Sequence, residues 1–136
     1  MDESFFEVLV GKTGVANGVL VPSVYFPIHE MADRDWPVED ALALSIARRE
    51  SEFNAGVGSP VGALGLMQLM PATAQEVAGI EGLSYSRSRL TGSWEYNAQL
   101  GTRYLAILQD EFGPSPVMIA AGYNAGPSRP KRWMEE

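Results

Sequence analysis

The pattern of hydrophobic and polar positions predicts a mainly α protein. From residue 37, "PVEDALALSIARRESEF" places a proline at the first helical position, acids in the first turn and near-continuous apolar residues after them. "LMQLMPATAQEVAG" predicts a second helix, with Pro71 near its start and Gly79 as its end. Between them, "NAGVGSPVGALG" predicts a loop with tight turns and at most a small β-hairpin.

The longest predicted helix covers residues 94–112. Ser93 is a suitable N-cap, and Gly113-Pro114 marks the end. Large residues recur at four-residue steps within it, namely Tyr96, Leu100, Tyr104 and Leu108. Downstream, "SPVMIAAGYNAG" predicts a further helix that ends at Gly126, and "PSRPKRWMEE" predicts one last turn.

Residues 1–26 differ from the rest of the chain. Their short apolar runs are broken by glycines and prolines and show no clear helical period. We interpret residues 1–26 as a linker or the remnant of an upstream domain, and residues 27–136 as a single domain. The first residues are acidic where a signal peptide is basic, and the apolar run that follows is too short for a membrane span.

Composition narrows the possible functions. A length of 136 residues with 46% hydrophobic content suits one globular domain, and a net charge of −7 argues against nucleic-acid binding. The chain has no cysteine and one histidine, His29, which we interpret as a structural or exposed imidazole. We therefore expect no metal site and no cofactor.

One carboxyl group stands out in "LALSIARRESEF". On a helix, Glu50 lies on the same stripe as Leu42 and Ile46, so it should share their buried surroundings. Desolvation and the negative end of the helix both favour its protonated form, which is the form that a general acid needs. The residues alone leave two interpretations open: Glu50 is a general acid, or it is a polar residue that caps loop amides.

A second catalytic carboxylate is not evident from the sequence. Ordinary glycosidases need two carboxyl groups at a fixed separation. Glu52 is only two residues further along the helix and should point in another direction. The acidic residues elsewhere in the chain offer no recognisable partner.

Four motifs occur in order between about residues 37 and 134: "ARRESEFN", "SPVGALGLMQLMPATA", "NAQLGTRYL" and "AAGYNAGPSRPKRW". In order and approximate spacing, they resemble the catalytic domain of the soluble lytic transglycosylases, bacterial enzymes that cleave peptidoglycan. The resemblance implies a goose-type-lysozyme-like α fold over residues 27–136. It also implies peptidoglycan glycan strands as the substrate and the periplasm or cell envelope as the location.

The resemblance further implies cleavage of the β-1,4 bond between N-acetylmuramic acid and N-acetylglucosamine, with formation of a 1,6-anhydromuramic acid end. Glu50 would be the sole catalytic carboxylate. Ser59 would form a hydrogen bond near the reacting sugar. Gln68 and Met70 would line the muramic acid subsite. Tyr123 would orient Glu50 through its hydroxyl. Without the resemblance, Met70 would be interpreted as core filler and Tyr123 as a half-buried aromatic.

Some features depart from the family pattern. Gly122 stands where alanine is usual, and larger members continue past this chain's last residues with a further signature. Two alternatives therefore remain: a hydrolytic muramidase of the same fold, and a glycan-binding module without catalysis. Retention of Glu50, Gln68 and Tyr123 favours an enzyme.

Overall fold

The computed structural model describes residues 3–25 and 27–135, with the backbone alone for Val24 and Tyr25. The described helices, in chain order, are α1 (Glu3–Ala16), α2 (Pro22–Tyr25), a 3₁₀ turn (Glu30–Asp33), α3 (Asp40–Ser51), α4 (Pro71–Ile80), α5 (Arg89–Gly92), α6 (Trp94–Phe112), α7 (Pro116–Ala125) and α8 (Ser128–Glu135). The boundary expected between residues 26 and 27 falls partly outside the described residues and stays a prediction.

Helix α6 matches its prediction at both ends. The Ser93 hydroxyl accepts a hydrogen bond from the Tyr96 backbone N–H at 3.2 Å, as an N-cap should. Gly113 follows the helix with φ 74°, a conformation that strongly favours glycine. The expected proline starts of α4 and α7 are also confirmed, although α4 ends at Ile80, one residue beyond Gly79.

Helix α3 begins later than the sequence indicated. Its first residue is Asp40, so Pro37 lies before the helix and is not its first residue. At the other end, Glu52 and Phe53 adopt left-handed conformations, with φ of 54° and 65°. The buried Phe53 ring stacks on His29 at 5.3 Å, which stabilises this turn and confirms a structural role for His29.

Helix α1 was not predicted. Only Ser4, Val8 and Gly11 of its residues are buried, so it lacks the wide apolar stripe by which a sequence reveals a helix. Val8 nevertheless joins the main core, and Lys12 forms an ion pair with Glu52 just after α3. This part of the presumed linker therefore packs on the domain.

The glycine-rich loop between α3 and α4 is fixed between two groups of buried side chains. Leu66 and Met67 belong to the group around α3, whereas Leu69 belongs to the group between α4 and α6. Tyr104 and Tyr123 pack against both groups. Burial of each large apolar side chain contributes about 1.5–3 kcal/mol, so the loop is held on both sides.

The small hairpin allowed for this loop does not form as a pair of strands. The loop contains two isolated antiparallel bridges, Gly58 to Leu64 and Leu64 to Leu69. Among the described residues, no helix is long and apolar enough to cross a membrane. The same residues include no group of three or more His, Cys, Asp or Glu side chains that could hold a metal ion.

Candidate active site

Glu50 lies in the last turn of α3 and is partly buried. Ile46, one turn earlier, is only 6% exposed, in agreement with the stripe expected from the sequence. Burial raises the pKa of Glu50 above its ordinary value, and the positive charge of Arg49 opposes the shift. The carboxyl group thus keeps its proton to a higher pH than an exposed glutamate.

Ser51 connects this turn to the glycine-rich loop. Its buried hydroxyl donates to the Leu66 carbonyl oxygen at 2.6 Å, while the Ala47 carbonyl lies 3.2 Å away. Because Ser51 is adjacent to Glu50, the bond sets the distance between the carboxyl-bearing turn and the loop. Sequence reasoning missed this residue, since one serine beside a glutamate gives no distinctive signal.

Asn97 of α6 positions the loop from the other side. Its side-chain oxygen accepts from the Met67 N–H at 2.8 Å, and its Nδ2 donates to the carbonyls of Leu64 and Leu90, each at 2.9 Å. The residue is fully buried, and these bonds account for its donors and one acceptor position. Gly65, with φ 79°, allows the close approach, because a Cβ there would overlap the Leu90 carbonyl and Asn97 Nδ2.

Gln68 adopts a left-handed conformation, with φ 49°, which is uncommon for a residue with a side chain. Its Nε2 donates to the carbonyl oxygens of Val57 at 3.1 Å and Gly65 at 2.9 Å. Both amide protons are therefore used within the loop. The side-chain oxygen is left to accept a hydrogen bond from a ligand.

Ser59 stabilises a turn in the same loop. Its hydroxyl oxygen accepts from the Ala63 N–H at 2.9 Å, and its own N–H donates to the Ala63 carbonyl at 2.8 Å. The hydroxyl proton is not used in that turn and could be donated to a sugar oxygen. Ser59 is not one of the residues that line the cavity described next.

A cavity of about 160 Å³ contains three of the five predicted site residues in its wall. Its lining is Gln68, Leu69, Met70, Thr73, Tyr104, Tyr123, Asn124 and Gly126. Met70 is 43% exposed, whereas Met67 and Leu69 are buried, so only Met70 of the three offers an accessible apolar surface. Two larger cavities lie elsewhere, but neither of them is lined by any of the five predicted site residues.

Tyr123 joins α7 to the loop. Its hydroxyl donates to the Met67 carbonyl at 2.7 Å, and its ring lies 5.3 Å from that of Tyr104. Burial raises the pKa of Tyr123 well above its ordinary value, and the negative charge of Glu50 adds to the shift. Because a phenol has one O–H, Tyr123 in this arrangement can only accept a hydrogen bond from Glu50. Its expected orienting role stays a prediction, with the protonated acid as the donor.

The unusual Gly122 does not face this cavity. A Cβ at this position would lie 3.1 Å from side-chain atoms of Leu108 and Phe112, both buried on α6. The glycine thus reflects close packing of α7 on α6. It does not favour a non-catalytic module over an enzyme.

Comparison with known proteins identifies proteins that are similar to this chain in sequence and in structure. The family model for the transglycosylase SLT domain matches residues 27–136. The soluble lytic murein transglycosylase of Escherichia coli K12 is 40% identical over 98 residues, which are 71% of this chain and 15% of that protein. This chain therefore spans a small part of the length of that relative.

Two crystal structures resemble most of this chain. The 70-kDa soluble lytic transglycosylase of Escherichia coli matches with a TM-score of 0.85 and 32% identity, over 96% of this chain and 22% of that one. An inactive mutant of the lytic transglycosylase Slt from Pseudomonas aeruginosa, with glutamine in place of a glutamate, matches with a TM-score of 0.76 and 32% identity, over 84% and 19%. The expected mainly α, lysozyme-like fold is confirmed, and the chain belongs to the transglycosylase SLT domain family.

Proposed function

We propose that this domain is a peptidoglycan lytic transglycosylase with Glu50 as its only catalytic carboxyl group. The observation that carries the proposal is the raised pKa of Glu50, at a turn bonded to a loop that borders a polar and aromatic cavity. Of the described residues, no acidic one lines this cavity, and Glu50 itself is not among the lining residues. The described lining therefore offers no second carboxylate of the kind that a mechanism with two carboxyl groups requires, and Glu50 would act from the turn that is bonded to the loop.

In the first step, protonated Glu50 gives its proton to the glycosidic oxygen between N-acetylmuramic acid and N-acetylglucosamine. The bond between that oxygen and C1 of the muramic acid breaks, and the N-acetylglucosamine end leaves as an alcohol. The raised pKa supports this step because it keeps the acid protonated closer to neutral pH.

In the second step, ionised Glu50 accepts the proton of the muramic acid C6 hydroxyl, and the C6 oxygen bonds to C1 of the same sugar. A 1,6-anhydro ring forms and the acid is regenerated, so no water enters the product. The nucleophile belongs to the same sugar, and this proximity replaces the water that a second carboxylate would activate. The substrate's own N-acetyl group can help to stabilise C1.

The other predicted residues support the same cycle. Gln68 would accept a hydrogen bond from the muramic acid, since its amide protons are used in the loop. Met70 would contact the apolar face of a sugar, Ser59 would donate its free hydroxyl proton, and Tyr123 would accept from protonated Glu50. These roles place the substrate along the glycine-rich loop.

We infer the substrate and the cellular location of this domain from its relatives. The similar proteins are named soluble and membrane-bound lytic murein transglycosylases. By the same relationship, this domain would act on peptidoglycan strands in the periplasm or cell envelope.

Mass spectrometry of the muropeptides released from isolated sacculi tests the reaction. The proposal predicts products with anhydro ends, which are lighter by one water than reducing ends. A product set that contains only reducing ends would reject the transglycosylase reaction and favour hydrolysis.

One observation supports the hydrolytic alternative. Burial raises the pKa of Tyr104, which lines the cavity, and the negative charges of Glu76 and Glu111 add to the shift. The carboxylate of Glu76 is therefore within electrostatic range of the cavity wall. Hydrolysis would need such a group to activate water. Glu76→Gln should leave the anhydro products unchanged if our proposal is right, and should abolish turnover if Glu76 is the base of a hydrolase.

A matched pair of variants separates an enzyme from a binding module. Glu50→Gln should abolish turnover without loss of binding to sacculi. Glu52→Gln, two residues away, serves as the control because Glu52 faces Lys12 of α1. Equal turnover of the two variants would exclude Glu50 from the mechanism.

A further inference from the structure

A second polar cavity, of about 460 Å³, lies apart from the one beside Tyr123. It is bordered by the segment before α3, the residue that follows α4, and one face of α6. Its lining is Arg34, Asp35, Trp36, Pro37, Glu81, Glu95, Gln99, Thr102 and Arg103. The volume falls within the range of small-molecule sites, and the two cavities share no lining residue.

Helix α6 forms one wall of this cavity. Glu95, Gln99 and Thr102 recur at steps of four and three residues, so they share a face of the helix. Arg103 on the same wall has its Nε 2.8 Å from a Glu81 carboxylate oxygen, which ties α6 to the end of α4. This partly exposed ion pair restrains the Arg103 side chain at the wall.

The opposite wall contains a fixed aromatic ring. The Trp36 indole N–H donates to the Met31 carbonyl at 2.7 Å, and this bond holds the half-buried ring in place. Arg34 lies 5.5 Å from the ring centre of Trp94, a cation–π distance, which restrains its guanidinium group. Since the indole N–H is already bonded, Trp36 offers mainly its apolar ring surface to a ligand.

The charges in this cavity indicate what it would bind. Its lining contains two arginines and three acidic residues, and Arg103 and Glu81 already form a pair. Phosphorylated ligands would be repelled by the remaining carboxylates, and purely apolar ligands would leave these groups desolvated. A neutral ligand that both donates and accepts hydrogen bonds can bond to the carboxylates, the guanidinium groups and the side-chain amide of the lining. If it also has an apolar face, that face can pack on the Trp36 ring.

A pyranose sugar has these properties. Its hydroxyl groups donate to carboxylates and accept from guanidinium or amide groups, and its C–H faces pack on aromatic rings. The geometry points to a second saccharide site, outside the catalytic cavity, which binds an uncharged amino-sugar residue of a glycan strand. The choice of an amino sugar rests on the proposed function, whereas the position of the site does not. Such a site would hold a glycan strand while the strand is cleaved at the catalytic cavity.

NMR titration of the full chain with the N-acetylglucosamine trimer tests the site. The chain has three tryptophans, so the indole N–H signal of Trp36 is readily assigned with Trp36→Phe. We expect this signal to shift in a saturable manner. Gln99→Leu should weaken the binding by about fivefold to tenfold, through loss of the amide hydrogen bonds. The control is Gln75→Leu on α4, also exposed and outside the cavity, which should bind as the wild type does.

Three results would overturn the inference. They are a Trp36 signal that does not move while signals of the Tyr123 cavity do, equal affinity of the Gln99→Leu and Gln75→Leu variants, and a response to a peptidoglycan stem peptide but not to the sugar. The titration needs no turnover, so it can fail while the anhydro products are still observed. The reverse failure, binding at Trp36 without anhydro products, would reject the proposed reaction alone.

Discussion

Replacement of Asn97 by aspartate tests whether the glycine-rich loop is held by one buried amide. The new side chain has nearly the same shape, so packing is preserved. Its oxygen can still accept from the Met67 N–H, but ionised aspartate cannot donate to the carbonyls of Leu64 and Leu90. The perturbation is thus the loss of two donated hydrogen bonds and the approach of a charge to two carbonyl oxygens.

The expected magnitude follows from these contacts. The Leu90 carbonyl loses its Asn97 donor, at a cost of about 1–3 kcal/mol. The Leu64 carbonyl still accepts from the Leu69 N–H at 3.1 Å, so it loses one of two hydrogen bonds, worth about 0.5–1.5 kcal/mol. The expected loss in the free energy of unfolding is therefore about 1.5–4.5 kcal/mol. At about 2.1 cal/mol/K per residue, a domain of this length loses about 3.5 °C in Tm per kcal/mol. We therefore expect Asn97→Asp to lower the Tm by about 5–16 °C at neutral pH.

The sign of the pH dependence provides a second check. Burial and the facing carbonyls raise the pKa of the introduced carboxyl group in the folded state, so the destabilisation is present above that pKa and shrinks as the pH falls through it. Protonated aspartate can then donate to one of the carbonyls. Thermal unfolding followed by circular dichroism from pH 7 down to pH 4, with exposed Asn17→Asp on the wild-type background as control, measures the difference. A Tm equal to that of the control, or a deficit that does not depend on pH, would refute the role assigned to Asn97.

Three further outcomes are expected. Tyr123→Phe should lower kcat by about tenfold to a hundredfold, because both the bond to Met67 and the acceptor for Glu50 are lost; an unchanged kcat in a muropeptide release assay would remove Tyr123 from the site. Gly65→Ala should destabilise the domain by at least about 3 kcal/mol in chemical denaturation, since its Cβ would overlap the Leu90 carbonyl and Asn97; a smaller change would mean that the loop can move away. The kcat/KM of the wild type should fall as the pH rises through the pKa of Glu50, because the acid form is required. If the residual activity of Glu50→Gln shows the same fall at high pH, the titrating group is not Glu50.

The sequence predicted those parts of the fold whose signals are local. Ser93, Gly113 and Gly126 mark helix ends by their own capping or backbone preferences, and the structure confirms them. The stripe of α3 that ends at Glu50 was also predictable, since it depends only on the period of the helix. By contrast, α1 has few buried residues and thus no stripe to detect.

The contacts that organise the site could not be predicted because they join distant parts of the chain. Asn97 bonds to the loop about 30 residues earlier, and Tyr123 bonds to Met67 across 56 positions. The local sequence identifies Asn97 only as a polar residue on a largely apolar helix. The bond from Tyr123 to a backbone carbonyl, and not to Glu50, required the structure.

The most direct test of the account is an NMR titration of the Glu50 side-chain carboxyl group in the wild-type chain. We expect a pKa above the ordinary glutamate value of 4.5, because the carboxyl group is partly buried in the last turn of α3. We also expect bound glycan, by excluding water, to raise this pKa further. A carboxyl group that titrates like a free glutamate in both states would contradict the claim that Glu50 supplies the proton for cleavage.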